Sequence, residues 1–122
     1  MTIYVYTYIV WGMADSELVE ILKACADETR ITIIQALGME NERSVGDLVD
    51  IAGASQPKVS RHLAYLKRAG VVESRKKGLR VFYRVSDSLG FQSHRIIEAI
   101  AAVPRRPEPP RPIDDSLDVE LL

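Results

Sequence analysis

The stretch that most limits what this chain can become is Ser55-Gln56-Pro57-Lys58-Val59-Ser60-Arg61-His62-Leu63-Ala64-Tyr65-Leu66-Lys67-Arg68-Ala69-Gly70. It predicts one helix. Ser55 is an N-cap that accepts from a first-turn N–H. Pro57 sits in that first turn, where a missing N–H costs little, and Gly70 is a stop at C′. At 100° per residue, Val59, His62, Leu63 and Leu66 share one face. Pro57, Ser60, Arg61, Ala64 and Arg68 share the opposite one, with Gln56 and Lys67 at its edge. Short side chains between cations suit a face that presses into a DNA major groove, where Arg and Gln read base edges.

The preceding residues fix the motif. Ser44 opens a short helix, Val45 to Ala52, with Val45, Leu48, Val49 and Ala52 inward, and Gly53-Ala54 is a tight turn. Two helices joined by a short Gly-containing turn are a helix-turn-helix signature. After Gly70 come two short strands around Lys76-Lys77-Gly78, the second running Leu79 to Val85. This is a β-hairpin whose tip and rim carry Arg75, Lys76, Lys77 and Arg80.

Charge distribution supports the same reading. The chain's net charge is −1. Residues 56–84 hold nine cations against one acid, Glu73, so this segment is +8 and the rest −9. A local potential of that sign steers a polyanion.

The 122 residues make one folded domain the prior, and 47% hydrophobic content supplies a core. At this size a homodimer sharing core is natural. One cysteine excludes an internal disulfide and any Cys-only metal site within one subunit, and fits a reducing cytoplasm. The longest apolar run, near residues 3–11, is far short of the roughly 20 residues a spanning helix needs. No nucleophile–base pair, phosphate loop or metal–water constellation points to an enzyme.

Three regions follow: 1–12, an N-terminal extension; 13–103, the DNA-binding and dimerisation domain; 104–122, a tail. Residues 1–12 are β-branched and aromatic. They read as dispensable or as the product of an upstream start codon, the alternative being a short edge strand or a dimer contact. Asp15 or Ser16 caps a helix to about Ala26, with Leu18, Ile21, Leu22 and Cys25 on a buried stripe. Asp27 caps the next, ending at Leu37-Gly38, and Met39 to Arg43 is a charged loop. Asp87 or Ser88 caps a last helix, about 89–103, with Ile96, Ile97, Ile100 and Val103 apolar. From Pro104 the chain carries five of its six prolines, a stiff spacer before an acidic, solvated or weakly docked end.

The segments Leu22 to Arg30, Ser55 to Leu63, Leu66 to Val72 and Gly78 to Val85 together resemble the ArsR/SmtB family over roughly residues 15–103. The resemblance implies a mainly α winged helix-turn-helix with a small β-hairpin, ordered α1-α2-α3-α4-β-β-α5. It also implies a homodimer through the first and last helices, and a repressor that an effector, often a metal or metalloid, releases from a palindromic operator. Where such proteins carry a thiolate pair, this chain has Arg43-Ser44-Val45-Gly46-Asp47-Leu48, with no cysteine. The last-helix ligand set is reduced to His94 and Glu98.

The DNA-binding candidates are therefore Ser55, Gln56, Pro57, Lys58, Ser60, Arg61, Lys67, Arg68, Arg75, Lys76, Lys77 and Arg80. Gln56, Ser60 and Arg61 read bases, and Lys58, Lys67 and Arg68 hold phosphates. The hairpin cations contact phosphates or the minor groove, against the bland reading of a solvated charge run. His62, on the inward face, reads as a packed or hydrogen-bonded structural histidine. Cys25 reads as a buried small hydrophobe, with a redox or soft-metal pair across a dimer axis as the sharper alternative. His94 and Glu98, four apart, read as a surface pair or, doubled by symmetry, as four metal ligands. The competing function is a winged-helix protein-interaction module without sequence-specific DNA binding.

Overall fold

The computed structural model describes residues 16–102. The expectations placed on residues 1–12, on Asp15, on Val103 and on the tail lie outside them. The described chain runs α1 (16–25), α2 (Glu28–Leu37), β1 (Arg43–Ser44), α3 (Val45–Ala52), α4 (Gln56–Arg68), β2 (Val72–Lys77), β3 (Arg80–Val85) and α5 (Phe91–Ala102).

The caps set the helix bounds. Arg30 N–H donates to the Asp27 carboxylate at 3.0 Å, and Gly38 N–H closes α2 on the Ile34 carbonyl at 2.9 Å. Ser44 and Asp47 form a reciprocal capping box on α3. Ser55 Oγ accepts from Lys58 N–H, and Pro57 lies in the first turn of α4. At the far end of α4, Val71 N–H reaches the Leu66 carbonyl and Gly70 N–H that of Lys67, the paired bonds of a Schellman stop. Between α3 and α4, Gly53 adopts φ 62, ψ 29, left-handed backbone that lets the chain turn within three residues.

One core joins these elements. Ile21 of α1, Ile33, Ile34 and Leu37 of α2, Leu48 of α3, Val59, Leu63 and Leu66 of α4, and Ile97 of α5 are fully buried, or nearly so. Each such side chain contributes about 1.5–3 kcal/mol of transfer free energy. Val71, Val72 and Val85 seal the base of the hairpin onto it.

The sheet has one strand more than the sequence reading. β1 pairs antiparallel with β3 (Arg43↔Tyr83, Ser44↔Phe82), giving the order β1-β3-β2. Part of the expected Met39–Arg43 loop is thus a two-residue strand, and Arg43 Nε also donates to the Ala36 carbonyl at 2.7 Å. The hairpin turn is shorter than expected. Lys76 and Lys77 remain in β2, Lys77 stands opposite Arg80, and Gly78-Leu79 alone make the turn. Leu79 therefore belongs to the tip, not to the inward row of β3.

Three further expectations change. Leu22 is not on the buried stripe of α1. It is 48% exposed beside Val19 at 46%, whereas Ile21 and Ala24 are sealed. The last helix starts at Phe91, and neither Asp87 nor Ser88 caps it. Asp87 is engaged by Arg84, and the opening carbonyl is that of Gly90, which accepts from His94 N–H at 2.8 Å. Ser16 is already helical, so it does not cap α1.

A candidate nucleic-acid interface on helix α4 and the hairpin

Helix α4 is two-sided. Burial of Val59, Leu63 and Leu66 fixes its rotation, and this turns Gln56, Pro57, Lys58, Ser60, Arg61, Ala64, Lys67 and Arg68 to the outside. Ser55 at the cap and Arg75, Lys76, Lys77 and Arg80 on the hairpin are exposed as well. All twelve expected contact residues thus lie on the surface, on two elements adjacent in the fold. They are joined directly: Lys67 Nζ donates to Ser74 Oγ of β2 at 2.8 Å. This bond sets the hairpin against the C-terminal half of α4.

The cations are not equivalent. Arg75 Nε is 2.8 Å from Glu42 Oε1, so its charge is matched locally. Arg84 pairs with its cross-strand neighbour Glu73 and, at 2.7 Å, with Asp87. These two acids, Glu73 foremost, push the Arg84 pKa up. Among the described residues, Lys58, Arg61, Lys76 and Arg80 carry neither an ion pair nor a hydrogen bond from their side chains, Lys77 lies over the Phe82 ring at 5.6 Å, and Arg68 over Tyr65 at 5.7 Å. Net positive field is therefore concentrated on the outer face of α4 and at the hairpin tip, while the hairpin base is neutralised.

A hub beneath α4 was not legible as such. Arg30 of α2 donates from Nε to the Ala24 carbonyl at 2.7 Å and from a terminal nitrogen to that of Lys23 at 3.3 Å. Its other terminal nitrogen is 3.3 Å from His62 Nδ1, and its plane lies 4.2 Å over the Tyr65 ring. His62 Nδ1 is also 3.8 Å from Asp27 Oδ2. His62 is thus the hydrogen-bonded structural histidine expected, and Arg30 ties the end of α1 to α4. The Asp-Glu-Thr-Arg segment was the only sequence trace of this contact.

The other candidates sit apart from this surface. Cys25 is a buried free thiol, and burial pushes its pKa up against a smaller opposing effect of Arg30. That favours the protonated, unreactive form. His94 Nδ1 and Glu98 Oε2 face each other at 3.5 Å on exposed turns of α5. Among the described residues, no three His, Cys, Asp or Glu side chains are grouped to hold a metal ion. The described residues of one subunit therefore do not fit a complete metal site.

The chain is similar to known proteins. The family model described as bacterial regulatory protein, arsR family, matches residues 27–74, from the cap of α2 into β2. The arsenical resistance operon repressor of Escherichia coli K12 is 40% identical over 80 residues, covering 66% of this chain and 68% of that one. The HTH-type transcriptional repressor SmtB of Mycobacterium tuberculosis is 42% identical over 82 residues, covering 67% of this chain and 58% of that one. Among solved structures, the homodimeric winged helix-turn-helix DNA-binding domain of Mb0332 from Mycobacterium bovis superposes with a TM-score of 0.62 at 27% identity. It covers 73% of this chain and 79% of that one. None of the described helices is long and apolar enough to cross a membrane. With its capped recognition helix, three-stranded wing and these relatives, the chain belongs to the ArsR family of DNA-binding transcriptional regulators and is not an enzyme.

Proposed function

We propose that the chain is a cytoplasmic, homodimeric, sequence-specific repressor that seats α4 in the major groove of a palindromic operator and leaves it when an effector binds. The observation that carries this is the exposed outer face of α4, in which Ser60 and Ala64 are flanked by Gln56, Arg61 and Arg68, while Val59, Leu63 and Leu66 on its inner face are fully buried. Gln56, Ser60 and Arg61 take the base edges. Lys58, Arg68, Lys76, Lys77 and Arg80 hold phosphates. Lys67 and Arg75, already bonded to Ser74 and Glu42, mainly hold the wing in place.

A dimer is supported by the apolar surface left on one subunit. Val19 and Leu22 on α1 and Phe91 at the start of α5 are large exposed hydrophobics. The Glu17 carboxylate, accepting from Gly90 N–H at 3.1 Å, holds those two regions together. The homodimeric Mycobacterium bovis domain is a precedent for the same fold. Symmetry then spaces two α4 helices about 34 Å apart, one turn of duplex. For the effector, the names of the relatives suggest an arsenical, but this chain offers no thiolate pair in α3 and only one cysteine.

The test compares duplexes enriched from a random-sequence pool with random duplexes. Arg61→Ala should lose discrimination between them. Lys76→Ala should weaken both alike and lower the slope of log affinity against log salt by about 1 per lost contact. Equal losses on both duplexes for Arg61→Ala would remove its base-reading role, and a wild-type chain that enriches no sequence would remove the function.

A further inference from the structure

The tip of the wing carries a side chain that phosphate binding does not explain. Leu79 is fully exposed, 103% of its reference value. Among the described residues the other exposed large hydrophobics, Val19, Leu22 and Phe91, lie on α1 and at the start of α5, not on the hairpin. A single exposed leucine is ordinary on a protein surface. Its setting here is not. The hairpin reverses over Gly78-Leu79 with Gly78 at φ 63, and among the described residues no non-glycine residue has positive φ. That is the II′ arrangement, whose second central position favours Asn, Ser, Thr or Asp. Leucine there gains no turn hydrogen bond and buries nothing in its own subunit. Its neighbours along the hairpin are Lys76, Lys77 and Arg80, all exposed.

An apolar side chain rimmed by cations is how proteins wedge a minor groove. Leucine is among the residues that insert between base steps while neighbouring Arg and Lys hold phosphates. The reach fits. Six residues of β2 span about 17 Å. Half a turn of duplex, the step from the major groove under α4 to the next minor groove, is also about 17 Å.

On the reading that α4 docks in the major groove, we infer that Leu79 is a minor-groove wedge and a specificity-determining residue. Each wing presses it against the steps flanking a half-site, and the protein thereby reads the deformability of DNA that α4 never touches. Pyrimidine–purine flanks, which unstack easily, are favoured over stiff A-tracts.

The experiment uses the full chain and the palindrome it enriches from a random pool, rebuilt as duplexes that differ only in their flanks. Wild type should bind TA- or CA-flanked duplexes about tenfold tighter than A-tract-flanked ones, the scale of one leucine removed from water. Leu79→Asn, with a residue suited to the turn, should fold normally and lose that preference. Its salt slope should be unchanged, because no charge is removed. Leu79→Met should keep the preference. A 2-aminopurine at the flanking step should brighten when wild type binds and stay dark with Leu79→Asn. A flank preference that survives Leu79→Asn, or a wild-type complex that leaves the probe dark, overturns the wedge while α4 reading stands. A wild-type chain that enriches no palindrome overturns both.

Discussion

Replacing Arg30 by alanine cuts the contact between the end of α1 and the underside of α4, and its cost follows from the geometry. The 2.7 Å bond from Nε to the Ala24 carbonyl is a charge-assisted hydrogen bond, part-buried, and contributes about 1.5 kcal/mol. The bonds at 3.3 Å to the exposed Lys23 carbonyl and to His62 are longer, and contribute about 0.5 kcal/mol each. Stacking at 4.2 Å over Tyr65 adds about 0.5–1 kcal/mol. The expected loss for Arg30→Ala is therefore about 3 kcal/mol. Arg30→Lys keeps a cation near the ring, but one ammonium cannot span two carbonyls and an imidazole, and should lose about 2 kcal/mol. Urea unfolding at one fixed protomer concentration measures both, since an assembled subunit's midpoint depends on concentration. Crossing Arg30→Ala with Tyr65→Leu should give a coupling of about 0.5–1 kcal/mol. If Arg30→Ala moves the stability by less than about 0.5 kcal/mol, the range of an idle surface substitution, the hub does not hold α4. A full loss with zero coupling would retire the stacking and leave the carbonyl bonds.

Asp27 predicts an acid limb. The Arg30 backbone N–H, first, holds its carboxyl below the usual range; burial opposes this, and the neighbouring His62 and Arg30 side chains and the Thr29 N–H add smaller pulls in the lowering direction. Its folded pKa is depressed, so its stabilisation is present above the unfolded value near 4 and is lost as pH falls through the folded one. Asp27→Asn, still a good cap, should change the neutral-pH midpoint little and flatten the decline below about pH 4. An unchanged acid limb would assign that decline to other groups. At Gly53, an added Cβ meets nothing within 4 Å, so only backbone strain counts. Left-handed strain of about 1–2 kcal/mol, partly offset by the stiffer unfolded chain, makes Gly53→Ala about 1 kcal/mol less stable. Gly53→Asn should cost less. A denaturation midpoint that rises for Gly53→Ala would contradict the turn geometry.

Helices α2, α3 and α4 were legible almost to the residue because each begins on a side chain that caps it and stops at glycine. Asp27, Ser44 and Ser55, with Gly38, Gly53 and Gly70, are local signals that need no tertiary context. The contact face of α4 was legible because its apolar positions repeat at helical spacing. Strand β1 was not, since two residues have no periodicity and Arg43-Ser44 pairs only because β3 comes alongside. The start of α5 was misread because Asp87, which looks like a cap, is drawn to Arg84 instead. Leu22 was misplaced for a different reason. An apolar stripe in sequence does not say whether it faces its own core or another molecule. The matching of Arg75 by Glu42, 33 residues away, is likewise invisible to a local count of charge.

Ser44 belongs at once to strand β1 and to the cap of α3. The wing is therefore stitched to the front of the helix-turn-helix as well as to its rear, through Arg43-Ser44 on one side and Lys67–Ser74 on the other. A designer who transplants this hairpin into another regulator must bring residues 42–44 along, or the graft will swing on a single hinge. Only the two-residue tip is free to be exchanged alone.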